Sequence, residues 1–143
     1  MKLKYPYSTV VLLVIIYLSF FTPPSVPVDD VPGFDKLVHT AMYGGLCLVM
    51  WAEYFRLHDS LQSWKGLLHR WRFCPIRWSR CWLGFVVFPI LFSGAIELMQ
   101  EYCTNHRRSG DWWDLVANSL GVLLVLAFVA LCHKKNPQPT GTR

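Results

Sequence analysis

The sequence predicts an all-α, polytopic membrane protein. It has four transmembrane helices and, between the second and third, an amphipathic helix lying in the membrane interface. Three observations carry this expectation. Four apolar stretches, at about 5–21, 36–55, 82–102 and 113–132, approach the roughly 20 residues that cross a hydrocarbon core of about 30 Å. Basic residues are unevenly placed around those stretches. Polar residues inside them are few and gather toward one set of ends. Backbone in lipid must satisfy its own hydrogen bonds, which selects helices for apolar runs of this length.

Composition sets the outer limits. A chain of 143 residues is one domain, here 1–143. Apolar residues make up 53%, near the top of the soluble range, so their distribution and not their number argues for a membrane. The net charge of +5 does not point to nucleic acid, because the charges flank spans. Of the fourteen basic residues, eleven precede the first span, lie between the second and third, or follow the fourth. Only Lys36, Arg107 and Arg108 fall on the other side. The positive-inside rule then puts both termini in the cytoplasm and the 97–121 segment at the outer face. The five cysteines form no disulfide framework, since Cys103 alone reaches the outer side. Cys74, Cys81 and His69 lack the tight pair spacing of a zinc site, and neither a metal nor a cofactor is expected.

Taken in order, the first span follows Met-Lys-Leu-Lys and resembles a secretory signal without its small-residue cleavage pattern, so it reads as an uncleaved helix. The proline-rich stretch to Pro32 cannot extend it and forms a short outer loop. Asp35 opens the second span, positioned to accept from first-turn amides. His39 and Tyr43 follow at steps of four and share its face. Gly44 and Gly45 permit close approach of a neighbouring helix. From Leu57 to about residue 73, Leu57, Leu61, Trp64, Leu68 and Trp71 make an apolar stripe against a basic face, which describes an interfacial helix ended by Pro75. In the third span Glu97, Gln100 and Glu101 share a face near the outer end. After a polar hairpin with Arg107, Arg108 and Asp111, Trp112 and Trp113 form an interfacial belt. The fourth span then carries Asp114, Asn118 and Gly121 on one face.

Counting inward from the outer ends, His39, Glu97 and Asn118 lie at a common depth of roughly 6–8 Å. Converging helices would make of them a polar pocket open to the outer surface, and not a pore, since the inner halves of the spans read as apolar. Ionisable groups at such depth are functional-site candidates. The candidate ligand-binding set is Asp35, Lys36, His39, Tyr43, Glu97, Gln100, Arg107, Arg108, Asp111, Asp114 and Asn118. His39 and Glu97 could exchange a proton, and the arginines could hold a phosphate or carboxylate. Each of these residues also has a plain structural role open to it: His39 bonding between helices, the arginines locking the hairpin. No serine–histidine–acid set is evident.

Three pieces in order, Asp35-Lys36-x-x-His39-x-x-x-Tyr43, Glu97-x-x-Gln100 and Arg108-x-x-Asp111-x-x-Asp114-x-x-x-Asn118-x-x-Gly121, resemble the VanZ-like family of small integral-membrane proteins associated with teicoplanin resistance. The likeness covers the second through fourth spans. It implies a protein of the bacterial cytoplasmic membrane that lowers susceptibility to glycopeptides bearing a lipid or acyl tail. Two function classes are carried forward. One is a non-enzymatic protein whose outer pocket binds a lipid-linked cell-wall component or a lipophilic glycopeptide, with membrane lipids as its surroundings. The other is a membrane enzyme acting on a lipid headgroup, with Glu97 and His39 as acid and base. Oligomeric state is not legible.

Overall fold

The structure, a computed structural model, describes residues 4–21, 33–58, 81–103 and 112–132. The proline-rich loop, the interfacial helix beyond His58, Arg107, Arg108 and Asp111 lie outside the described residues. All regular structure among those described is helical: α1 (Pro6–Phe20), α2 (Phe34–His58), α3 (Phe88–Cys103) with a π turn (Leu83–Val87) leading into it, and α4 (Trp112–Cys132). The helices fall on the four apolar stretches. The second is longer than its hydropathy suggested, reaching His58 and taking in Leu57, the first residue of the expected interfacial helix.

Two of these helices, Leu83–Tyr102 and Trp112–Cys132, are long and apolar enough to cross a membrane. α4, with 21 residues, rises about 32 Å. α1, with 15 residues, rises about 22 Å. The distribution of polarity is inverted relative to a water-soluble bundle. Val10, Leu13, Tyr17, Leu91, Leu124 and Leu131 are exposed, whereas Ser8, Glu53, Ser93, Glu97, Gln100, Asp114 and Asn118 are buried. Large apolar surface on every helix with polar groups turned inward fits a membrane protein.

α2 and α4 are the most extensively packed pair, and glycine explains how. A Cβ on Gly121 would overlap the backbone carbonyl of Thr40 and lie 3.0 Å from the Gly44 nitrogen. Gly44 meets the Gly121 carbonyl at the same crossing, while Gly45 has nothing within 4 Å of its would-be Cβ. Only one of the paired glycines therefore serves the interface. Thr40 adds a polar tie, its hydroxyl lying 2.8 Å from the Lys36 carbonyl of its own helix and 3.1 Å from the Ala117 carbonyl of α4.

The other end of the bundle holds an aromatic core. Trp51 packs on Phe85 at 4.8 Å and Tyr54 on Phe85 at 5.5 Å, both edge-on. Phe85 lies in the π turn. Pro89 has no N–H to give to the carbonyl four residues before it, and the Cys47 thiol donates to that Phe85 oxygen at 3.3 Å. The third span was expected to cover about 82–102, with no break marked in it. The π turn is how it absorbs the proline.

This end is not purely apolar, as had been expected of the inner halves. Glu53, 1% exposed, accepts from the backbone amides of Tyr7 and Ser8, each at 2.9 Å, and from the Ser8 hydroxyl. A carboxylate from α2 thus satisfies first-turn donors of α1 that no residue of α1 caps. Arg56 stacks over the Tyr7 ring at 5.3 Å beside it.

Candidate functional site

The polar cluster lies where α2 and α4 begin. Asp35 is in the first turn of α2 and Asp114 in the first turn of α4. The parallel pairing of α2 and α4, packed closely at Gly44 and Gly121, brings these two turns together. Lys36 Nζ donates to Asp35 Oδ2 at 3.3 Å and to Asp114 Oδ1, so one ammonium joins the two carboxylates. Asp35 had been expected to meet first-turn amides. Among the described residues its oxygens instead meet Lys36 and His39.

One turn deeper, the ring of His39 is held between the helices. Its Nδ1 lies 3.1 Å from Asn118 Oδ1. Asn118 donates from Nδ2 to Ser93 Oγ of α3 at 2.6 Å. With the amide oxygen toward the ring, Asn118 accepts from Nδ1 when that nitrogen carries the proton of the neutral imidazole. The other nitrogen, Nε2, stands 3.7 Å from Asp35 Oδ1 and 3.7 Å from Asp114 Oδ2. Ser93 and Asn118 are essentially fully enclosed. The row Ser93–Asn118–His39 is therefore a buried strut that sets a half-buried imidazole against two carboxylates. Asp35 is the open side of the cluster, its side chain 69% exposed.

The remaining candidates divide. Tyr43 is buried one turn below His39, its ring 6.5 Å from Phe92. Glu97 is buried and near enough to the Tyr43 hydroxyl to act on it electrostatically. Gln100 is also buried, and its amide donates to the Ser19 carbonyl at the end of α1 at 2.8 Å. That bond ties α1 to α3 in the same end of the bundle.

Sequence reasoning did not single out Ser93, Thr40 or Glu53. Ser93 is one hydroxyl in an apolar run, and its role depends on a contact with α4. Nor was a metal-ligand set visible, because Asp35 and His39 on one helix needed Asp114 from another. In the folded chain one ligand atom from each of these three lies within 4.8 Å of the others. No family model, curated protein or solved structure matches this chain.

Proposed function

We propose that the chain is a multi-pass membrane protein of four spans with both termini cytoplasmic. In this reading its polar end faces the outer side of a bacterial cytoplasmic membrane and recognises the polar headgroup of an envelope amphiphile. The resemblance to the VanZ-like family gives that amphiphile its class, a lipid-linked cell-wall component or a lipophilic glycopeptide, and the cellular effect is lowered susceptibility to teicoplanin-type antibiotics. The observation that carries the reading is the convergence of Asp35, Lys36, His39, Asp114 and Asn118 from two helices at one end of a bundle whose outer surface is apolar. Polar side chains so placed can bond a headgroup while the adjacent helix faces take its acyl chains. Arg107 and Arg108 belong to the connection that joins the site and supply its anion-binding part in this proposal.

The test is susceptibility of cells expressing the chain to teicoplanin and, as a tail-free control, vancomycin. Wild type raises tolerance to the tailed compound, and His39→Ala or the Arg107→Gln, Arg108→Gln double variant abolishes that rise at unchanged membrane abundance. Equal tolerance in cells with the wild-type and double-variant proteins contradicts the reading.

One observation favours a second reading, an enzyme acting on a lipid headgroup. An imidazole whose Nδ1 is tied to Asn118 presents Nε2 as a general base, with Glu97 as the acid. Lipid turnover by the purified protein, lost in His39→Gln and Glu97→Gln alike, distinguishes it from binding, for which Glu97→Gln is partly tolerated.

A further inference from the structure

The two carboxylates at the head of α2 and α4 divide their oxygens. Asp35 Oδ2 and Asp114 Oδ1 face Lys36, while Asp35 Oδ1 and Asp114 Oδ2 face His39 Nε2. The Lys36 ammonium therefore occupies one side of the pair and leaves the other. On that other side both Nε2–O separations are 3.7 Å. This is too long for a hydrogen bond. Two ligands on one tetrahedral ion, with bonds of about 2.0–2.2 Å, are separated by roughly 3.4 Å. The three ligand atoms lie within 4.8 Å of one another, so an inward swing of the exposed Asp35 by up to about 1.4 Å closes the set on one ion.

The histidine is prepared for this from a different direction. Its Nδ1 is engaged by Asn118, which is itself bonded to Ser93 of a third helix, and both supports are buried. A neutral ring held so has its lone pair on Nε2, aimed at two carboxylates. Metal-ligating histidines are characteristically fixed through their other nitrogen in this manner. We infer that Asp35, His39 and Asp114 form a site for one divalent transition-metal ion of the Zn²⁺ or Mn²⁺ class, with coordination positions left open for an exogenous oxygen ligand. A mixed imidazole and carboxylate set suits these ions better than Mg²⁺ or Ca²⁺, which favour all-oxygen sites. Three protein ligands with an open position is the arrangement of sites that engage a ligand, not of closed structural ones.

The ion also gives the cluster a sign. Two carboxylates against one ammonium leave the described part of the site negative, which repels phosphate. A bound dication reverses this, and the site accepts a phosphate or carboxylate oxygen. The site goes beyond the headgroup reading and stands without it, since metal binding is measured with no amphiphile present.

The experiment uses the full-length protein, purified in detergent and stripped with chelator, titrated with Co²⁺ as a spectroscopic probe. The expected result is saturation at one equivalent with visible d–d bands, no thiolate-to-metal charge-transfer band, and displacement by Zn²⁺. His39→Ala and Asp114→Asn lose the spectrum while retaining helical circular dichroism. Asn118→Ser weakens Co²⁺ about 10–100-fold without abolishing it. Should the variants fail to fold, ¹¹³Cd NMR of the wild type reads the ligands directly, with a shift in the nitrogen–oxygen range expected. Absence of a Co²⁺ spectrum in the wild type overturns the inference. So does a sulfur-range cadmium shift, or binding that survives His39→Ala, because the ion then sits on other cysteines or histidines.

Discussion

Gly121 has less room than any other described glycine, and the whole α2–α4 interface depends on it. Its missing Cβ is the space filled by the Thr40 carbonyl, and backbone cannot rotate away as a side chain can. Gly121→Ala should therefore separate the helices and destabilise the protein by about 1–3 kcal/mol, the usual range for overpacking. Gly45→Ala, on the same helix as Gly44 but facing open space, should be neutral or slightly stabilising, since alanine is the better helix former. Thermal unfolding in detergent compares the two directly. Equal melting temperatures would show that the crossing is looser than described. The sequence already marked Gly44 and Gly45 as permitting close helix approach and set Gly121 on the face of Asp114 and Asn118. It could not separate Gly44 from Gly45, because that distinction depends on the rotation of α2 against α4.

Pairs of elements are held at each end by polar groups that reach across. At the site end, Gln100 of α3 joins the last turn of α1, and the Ser93–Asn118–His39 row spans three helices. At the far end, Glu53 of α2 caps α1. Removing such an acceptor strands buried donors at about 1–3 kcal/mol each. Glu53→Leu should accordingly lower stability by several kcal/mol and free the N-terminal turn of α1. Glu53→Gln retains one carbonyl acceptor and should lose roughly half as much. Amide hydrogen exchange at Tyr7 and Ser8 reads this locally, and unchanged protection in Glu53→Leu would mean that the cap contributes nothing. Periodicity revealed the Asp35–His39–Tyr43 and Asp114–Asn118–Gly121 faces because both are local to one helix. Glu53 with Ser8 was not legible, since its partner is 45 residues away and nothing in an apolar run announces which acid turns inward.

At the scale of the molecule, the described helices expose apolar side chains and enclose a few polar ones, with Asp35, Lys36, His39 and Asp114 gathered at the end where α2 and α4 begin. Hydropathy located the helices because long apolar runs bounded by charge or proline leave little else to form. The π turn at Phe85 escaped it, since one proline within such a run signals a kink without giving its form. In the proposed reading, basic-residue placement assigns the polar end to the outer side of the membrane, and the proposed recognition of an external amphiphile depends on that side above all. Thiol labelling tests it most directly, with Cys103 at the site end of the bundle and Cys74 in the connection that leaves the opposite end. Single-cysteine versions retaining one or the other are treated in intact cells with a membrane-impermeant maleimide. The account predicts reaction at Cys103 in intact cells and at Cys74 only after permeabilisation. Reaction at Cys74 with Cys103 protected until permeabilisation would turn the site toward the cytoplasm and contradict the account.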